Sequence, residues 1–116
     1  MSDLPVANPV EWGLSSLRFA GLHLVARPNV RFVAKAYGLQ LIPVLASDLP
    51  IGELEAISGK QIRYRRGLSE REQMRVIAHA IGHYVVLLHG LFTGDDLEAW
   101  CDAFADALLF PGQTVL

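Results

Sequence analysis

The sequence has few cysteines and no excess of positive charge, two features that mark several large classes of protein. It contains one cysteine, Cys101, which excludes an internal disulfide framework and fits a reducing compartment. Basic and acidic side chains nearly balance, 10 against 12, and the formal net charge is −2. Without an excess of positive charge, neither nucleic acid nor an anionic membrane surface is expected to bind the chain directly.

Long apolar runs are also absent. No stretch approaches the roughly 18 apolar residues that cross a bilayer, and residues 1–5 lack the basic and apolar regions that begin a secretory signal. Even so, 52% of the residues are hydrophobic and 19% are charged, as is typical of a folded chain with a core. With 116 residues, we expect a single domain spanning residues 1–116, located in the cytoplasm.

The first third of the chain has helical patterns. Asn8 followed by Pro9 gives a capping residue and then a first-turn residue. A second, short helix is predicted over Val30–Tyr37. It should end at Gly38, because glycine readily adopts the left-handed conformation that closes many helices.

Three short strands are expected next, as a small meandering sheet. They are predicted over Leu39–Leu45, Glu53–Ile57 and Lys60–Arg65. Pro43 restricts the first strand to an edge or an end of the sheet, because proline has no N–H to donate. In the third strand, Ile62 and Tyr64 alternate with polar residues, which predicts one apolar face.

Two helices complete the predicted fold, and the first of them is expected to be buried. Ser69 and Glu72 form a capping box ahead of a helix that should run to about Leu88. Its second half is apolar on nearly all sides, as in helices inside a core. After residues 93–96, a last helix runs to Phe110. The order of elements predicts an α+β fold.

Two histidines, His79 and His83, lie four residues apart on the buried helix. This spacing puts both imidazoles on one face, a turn apart, where both can reach the same metal ion. An imidazole inside an apolar helix needs a polar partner. The pair is therefore either a set of metal ligands or two core histidines bonded to backbone carbonyls, and the spacing alone leaves both open.

Two carboxylates on the last helix favour the metal. Glu98 and Asp102 are also four residues apart, and a tight helical hairpin would bring them against the two histidines. Glu98 would then complete a zinc site of two histidines and one carboxylate, with a fourth position open to water. Asp102 is placed to accept the second N–H of a ligand histidine. The alternative is a solvated acidic face at the start of a helix.

The segments around these residues resemble a known family. Residues 77–84 read IAHAIGHY and residues 98–105 read EAWCDAFA. They are similar to the IAHELGHY helix and the ExxANxFA helix of the ImmA/IrrE zinc metallopeptidases. The resemblance implies a minimal zincin-like domain that binds Zn²⁺ through His79, His83 and Glu98.

The same resemblance carries expectations for the substrate and the partner. Ile62 and Tyr64 stand where the family has an I-x-Y strand beside the active helix, so a peptide substrate is expected near them. Active family members cleave helix-turn-helix repressors, often linked to phages or mobile elements. A repressor protein involved in transcription regulation is therefore the expected partner.

Position 80 departs from the family pattern, because Ala80 stands where the family has its catalytic glutamate. Alanine cannot transfer a proton, and the loss of a general base costs about 10²–10⁴ in rate. Glu53 or Glu55 would substitute only if the geometry of the sheet is favourable. We therefore expect a metal site that hydrolyses peptides weakly or not at all.

Two further residues are set aside as ligands. His89 follows His83 by six residues, and in an unbroken helix that spacing turns it well away from His83. Cys101 lies near the expected metal but is interpreted as a buried structural thiol.

Three functions follow from these patterns. The first is a zinc peptidase relative with weak or no activity. The second is a non-catalytic module that holds a structural zinc and binds a repressor or another protein. The third is a structural domain whose histidines bind no metal. Ala80 favours the second over the first.

Overall fold

The computed structural model describes residues 5–50, 53 and 55–113. Within these residues it contains four α-helices and one three-stranded sheet, which confirms the predicted α+β fold. The helices are α1 (Pro9–Phe19), α2 (Val30–Ala36), α3 (Glu70–His89) and α4 (Leu97–Leu109). The strands are β1 (Gln40–Val44), β2 (Glu55–Ser58) and β3 (Gln61–Arg65).

Parts of two predictions lie outside the described residues. Leu54, within the strand that was expected over Glu53–Ile57, lies outside the described residues, and the described strand begins at Glu55. Residues 1–4 and 114–116 are the ends of the single domain expected over residues 1–116.

Caps fix the ends of α1 and α3 where the sequence predicts them. The Asn8 side chain accepts hydrogen bonds from two first-turn amides of α1, at 2.9 and 3.3 Å. At the start of α3, Ser69 and Glu72 form the capping box in both directions. Gly90 ends α3 with a φ of +60°, a left-handed backbone conformation that is strained for residues with a side chain. The result is one continuous helix that carries both histidines.

The sheet is mixed, so the predicted meander is wrong. β1 runs parallel to β3 and β2 runs antiparallel to it, in the order β1-β3-β2. Lys60, next to the start of β3, donates to the Tyr37 carbonyl at 3.1 Å and to the Tyr84 hydroxyl at 2.7 Å. These bonds connect the start of β3 to the segment before β1 and to α3. Pro43 lies in an edge strand, as predicted.

The core is built around α3, which packs against α4, α2, β2 and β3. Its fully buried side chains include Ile77, Ile81 and Val85. Leu87 and Leu88, in contrast, are 75% and 51% exposed, so the prediction that the helix is buried as far as Leu88 is wrong. The reason is the position of α4, which begins beside His83 and leaves the last turn of α3 extending past it.

Close helix packing positions α4. At Gly13 of α1, an added Cβ would lie 2.7 Å from the Cβ of Ala107 and 3.0 Å from the carbonyl oxygen of Phe104. Atoms cannot approach that closely, so only glycine allows this crossing of α1 and α4. In the described part of the chain, no helix has the length and the apolar character needed to cross a membrane.

Candidate metal centre

Helices α3 and α4 form an antiparallel hairpin, and three pairs of side chains mark its register. From the start of α3, the pairs are Arg75–Asp106, His79–Asp102 and His83–Glu98, each joined at 2.8 Å. Each step moves four residues forward along α3 and four residues back along α4. The pairs therefore stack along one face of the hairpin, as the spacing of four residues in both helices predicts.

Three ligand atoms meet at one point of this face. The Nε2 atoms of His79 and His83 lie 3.0 and 2.8 Å from the same oxygen, Oε2 of Glu98. The two nitrogens are 3.2 Å apart. The imidazoles are mostly buried, whereas the Glu98 side chain is 66% exposed, so the cluster lies at the edge of the core with one side toward solvent.

Asp102 determines which ring nitrogen of His79 carries a proton when the ring is neutral. Its carboxylate lies 2.8 Å from Nδ1 of His79, the ring nitrogen that faces away from Glu98. A carboxylate accepts hydrogen bonds, so Nδ1 carries a proton, and in the neutral ring Nε2 then keeps its lone pair. This is the role that the sequence predicts for Asp102.

In the neutral form of this tautomer, two hydrogen-bond acceptors face each other, and a cation between them would remove the repulsion. With its proton on Nδ1, neutral His79 offers a lone pair to the Glu98 carboxylate, which is also an acceptor, at 3.0 Å. Two acceptors at this distance repel unless a positive charge lies between them. A proton shared between the two atoms, or a metal ion at the point where the three atoms meet, would remove this repulsion.

The three atoms lie slightly closer together than a bound metal ion would hold them. Tetrahedral zinc, with bonds of about 2.0–2.2 Å to nitrogen and oxygen, holds such ligand atoms roughly 3.3–3.6 Å apart. The three observed separations are 2.8, 3.0 and 3.2 Å. Outward movements of roughly half an ångström would therefore accommodate the ion. The cluster of His79, His83 and Glu98 can hold a metal ion.

Cys101, expected near the metal but interpreted as a structural thiol, belongs to the same cluster. Its sulfur and the ligand atoms of the two histidines and Glu98 all lie within 4.8 Å of one another. The side chain is fully buried. Burial, and then the carboxylates of Glu98 and Asp102, raise the pKa of the Cys101 thiol to about 12.

Gly82 explains why Cys101 comes so close. It lies on α3 between the two histidines, and an added Cβ there would be 3.4 Å from both the Cα and the Cβ of Cys101. The same Cβ would be 3.1 Å from the Phe104 ring. The missing side chain therefore lets α4 approach α3 beneath the two imidazoles.

Glu55 is a second residue near the site, and strand register explains its position. It pairs with Tyr64 of β3, and Ile57 pairs with the fully buried Ile62, so Glu55 shares the face of the sheet that is turned toward the core. With His83 and Glu98 it lines a surface pocket of about 290 Å³. Burial raises the pKa of Glu55, and the neighbouring imidazoles offset part of that shift.

The expectation of a peptide substrate near Ile62 and Tyr64 stays a prediction, and the topology limits how a peptide could bind there. Ile62 and Tyr64 lie in β3, the central strand, which pairs with β1 on one side and β2 on the other. Its backbone groups are already used, so an added peptide cannot pair with it. In the described residues, the open edge beside the site is that of β2, the strand that carries Glu55.

No other carboxylate of α3 replaces the missing glutamate. Ala80 is fully buried. Glu70 bonds Arg31 at 2.6 Å, and Glu72 is engaged in the capping box, both in the first turn of the helix and far from the histidines. His89, which the sequence analysis set aside as a ligand, lies outside the cluster, and its ring is 4.7 Å from the ring of Trp12.

Comparisons with family models, with curated proteins and with solved structures find no match to this chain. Any function proposed for the site therefore rests on its sequence and its geometry.

The link between Asp102 and His79 yields a prediction. Asp102→Asn removes the negative charge that fixes the His79 tautomer, so zinc affinity should fall about tenfold or more. Asp106→Asn is the matched control, because Asp106 is one turn further along α4 and pairs with Arg75. Competition with a chromophoric chelator measures both affinities. Equal affinities in the two variants would contradict the assigned role.

Proposed function

We propose that this domain binds one Zn²⁺ ion through His79, His83 and Glu98. The observation that carries the proposal is the convergence of two imidazole nitrogens, Nε2 of His79 and Nε2 of His83, on one carboxylate oxygen, Oε2 of Glu98, at 3.0 and 2.8 Å. Asp102, on the opposite side of the His79 ring, supports the same tautomer as in many zinc sites. Nitrogen and carboxylate donors in this number are the usual ligands of zinc in proteins.

The layout supports a relationship to zinc peptidases, and Ala80 argues against efficient catalysis. A zinc ion in such a site supplies a Lewis acid that polarises a carbonyl group and makes a water molecule more acidic. His79, His83 and Glu98 would hold the ion, and Asp102 would orient His79. Position 80 offers no group that moves a proton, and Glu70 and Glu72 are engaged elsewhere. We therefore propose a peptidase-like zinc domain with little or no hydrolytic activity.

A non-catalytic role in protein binding is the second candidate, and the same alanine favours it. The resemblance to ImmA/IrrE proteins suggests a helix-turn-helix repressor as the partner, in the cytoplasm, where the single Cys101 would stay reduced. In this role the zinc ion would stabilise the α3–α4 hairpin instead of activating a substrate. The two candidates share one metal site and differ in whether peptide hydrolysis occurs.

Metal content tests the site. The natural protein, purified without added metal and analysed by inductively coupled plasma mass spectrometry, should hold about one zinc ion per chain, as a single site requires. His83→Ala should lose the ion, whereas His89→Ala, on the same helix but outside the cluster, should keep it. Circular dichroism checks that both variants fold. Zinc-free natural protein, or equal zinc in both variants, would refute the proposal.

Hydrolysis separates the two candidates. Because position 80 lacks a base, which costs about 10²–10⁴ in rate, the zinc-loaded protein should release fluorescein peptides from labelled casein no faster than His83→Ala does. Fluorescence release over time measures this. Zinc-dependent cleavage that disappears in His83→Ala would show that another group supplies the base, and the non-catalytic role would be abandoned.

A further inference from the structure

Cys101 reaches the zinc-binding cluster from its buried side. It follows Glu98 by three residues on α4, a spacing that puts both side chains on the face turned toward α3. Glu98 approaches from the solvent side and is largely exposed, whereas Cys101 is fully buried. In the described part of the chain, the thiol has no hydrogen-bond partner.

From this geometry we infer that Cys101 is the fourth ligand of the ion, so that protein atoms occupy all four positions of a closed zinc site. The inference rests on the proposed zinc site. It goes beyond that proposal because it replaces the open position of a catalytic site with a thiolate. It also assigns a role to a residue whose sequence context indicates only a buried thiol.

The required movement is small. A zinc–sulfur bond of about 2.3 Å places the sulfur roughly 3.5–3.7 Å from the nitrogen and oxygen ligands in a tetrahedral site. The sulfur already lies within 4.8 Å of all three ligand atoms. A displacement of roughly 1 Å completes the geometry. Because Gly82 has no side chain, Cys101 lies close to α3, the helix that carries both histidines.

Charge balance favours the same ligand set. As the sulfur binds the ion, the S–H bond of Cys101 breaks, the proton passes to solvent and no atom is oxidised or reduced. The thiolate and the Glu98 carboxylate then neutralise the two positive charges of the ion, while the imidazoles remain neutral. Soft thiolate ligands also favour zinc over magnesium, calcium or manganese.

A closed site changes the expected function. Four protein ligands are typical of structural zinc, whereas catalytic zinc keeps one position for water or substrate. With Cys101 bound, this chain would lack both that open position and the base at position 80. Two independent substitutions relative to the resembled pattern, Ala80 and Cys101, then act in the same direction, toward a stable zinc-bound hairpin.

Cobalt(II) reports the ligand directly. The metal-free natural protein is titrated with Co²⁺, because a cobalt–thiolate bond gives a strong near-ultraviolet charge-transfer band that nitrogen and oxygen ligands do not give. The chain has one cysteine, so a band at one Co²⁺ per chain is assigned to Cys101. Cys101→Ala should abolish the band, and Glu55→Gln, which alters a carboxylate of the same pocket, should keep it. Zinc affinity should fall at least about tenfold in Cys101→Ala, since even partners outside the ligand shell contribute that much.

Each outcome decides between the two proposals. Co²⁺ bound without the band, or a band that persists in Cys101→Ala, overturns the thiolate ligand and leaves the three-ligand site intact. Failure to bind Co²⁺ or Zn²⁺ at all overturns the zinc site itself. If Cys101→Ala does not fold, X-ray absorption of the zinc-loaded natural protein gives the answer. One sulfur at about 2.3 Å supports the inference, and a shell of nitrogen and oxygen alone refutes it.

Discussion

The contact between Nε2 of His79 and Oε2 of Glu98 is the constraint on which this site depends. The two atoms lie 3.0 Å apart at the edge of a core, and the Asp102 carboxylate lies 2.8 Å from Nδ1 on the far side of the His79 ring. In water such groups would separate. Here the α3–α4 hairpin holds them together, so a positive charge between them, from a proton or from a metal ion, would stabilise the hairpin.

The rest of the fold keeps that hairpin in place. The capping box and the left-handed Gly90 give α3 fixed ends. Gly13 lets α1 pack directly on α4, and Gly82 lets α4 pack directly on α3. Helix α4 is therefore held from two sides at glycine contacts, where a shift of its register would bring larger side chains into conflict. A fixed register is what allows one carboxylate oxygen to meet two imidazoles.

Local patterns predicted the parts of the structure that depend on one element at a time. Spacings of four residues placed His79 with His83 and Glu98 with Asp102, and a short connection between helices implied that the two faces would meet. Caps predicted the helix ends within a residue or two. These features depend on the geometry of a single helix, which sequence periodicity reports well.

Features that depend on the approach of separate elements were not predictable in this way. The parallel pairing of β1 and β3 depends on the insertion of β3 between β1 and β2, which no local pattern reports. The inward position of Glu55 follows from its register with Tyr64. Cys101 enters the site because Gly82 removes a side chain from the facing helix. Two features of the sequence indicated this approach: the spacing of three residues between Glu98 and Cys101, and the glycine at position 82, whose meaning depends on which residues it faces.

The most direct test of this account is a crystal structure of the zinc-loaded protein with diffraction data collected on both sides of the zinc absorption edge. The account predicts one anomalous peak per chain that appears only above the edge, between the Nε2 atoms of His79 and His83 and the carboxylate of Glu98. A structure of the zinc-saturated protein without that peak, with His79 bonded to Glu98 through a proton, would contradict it.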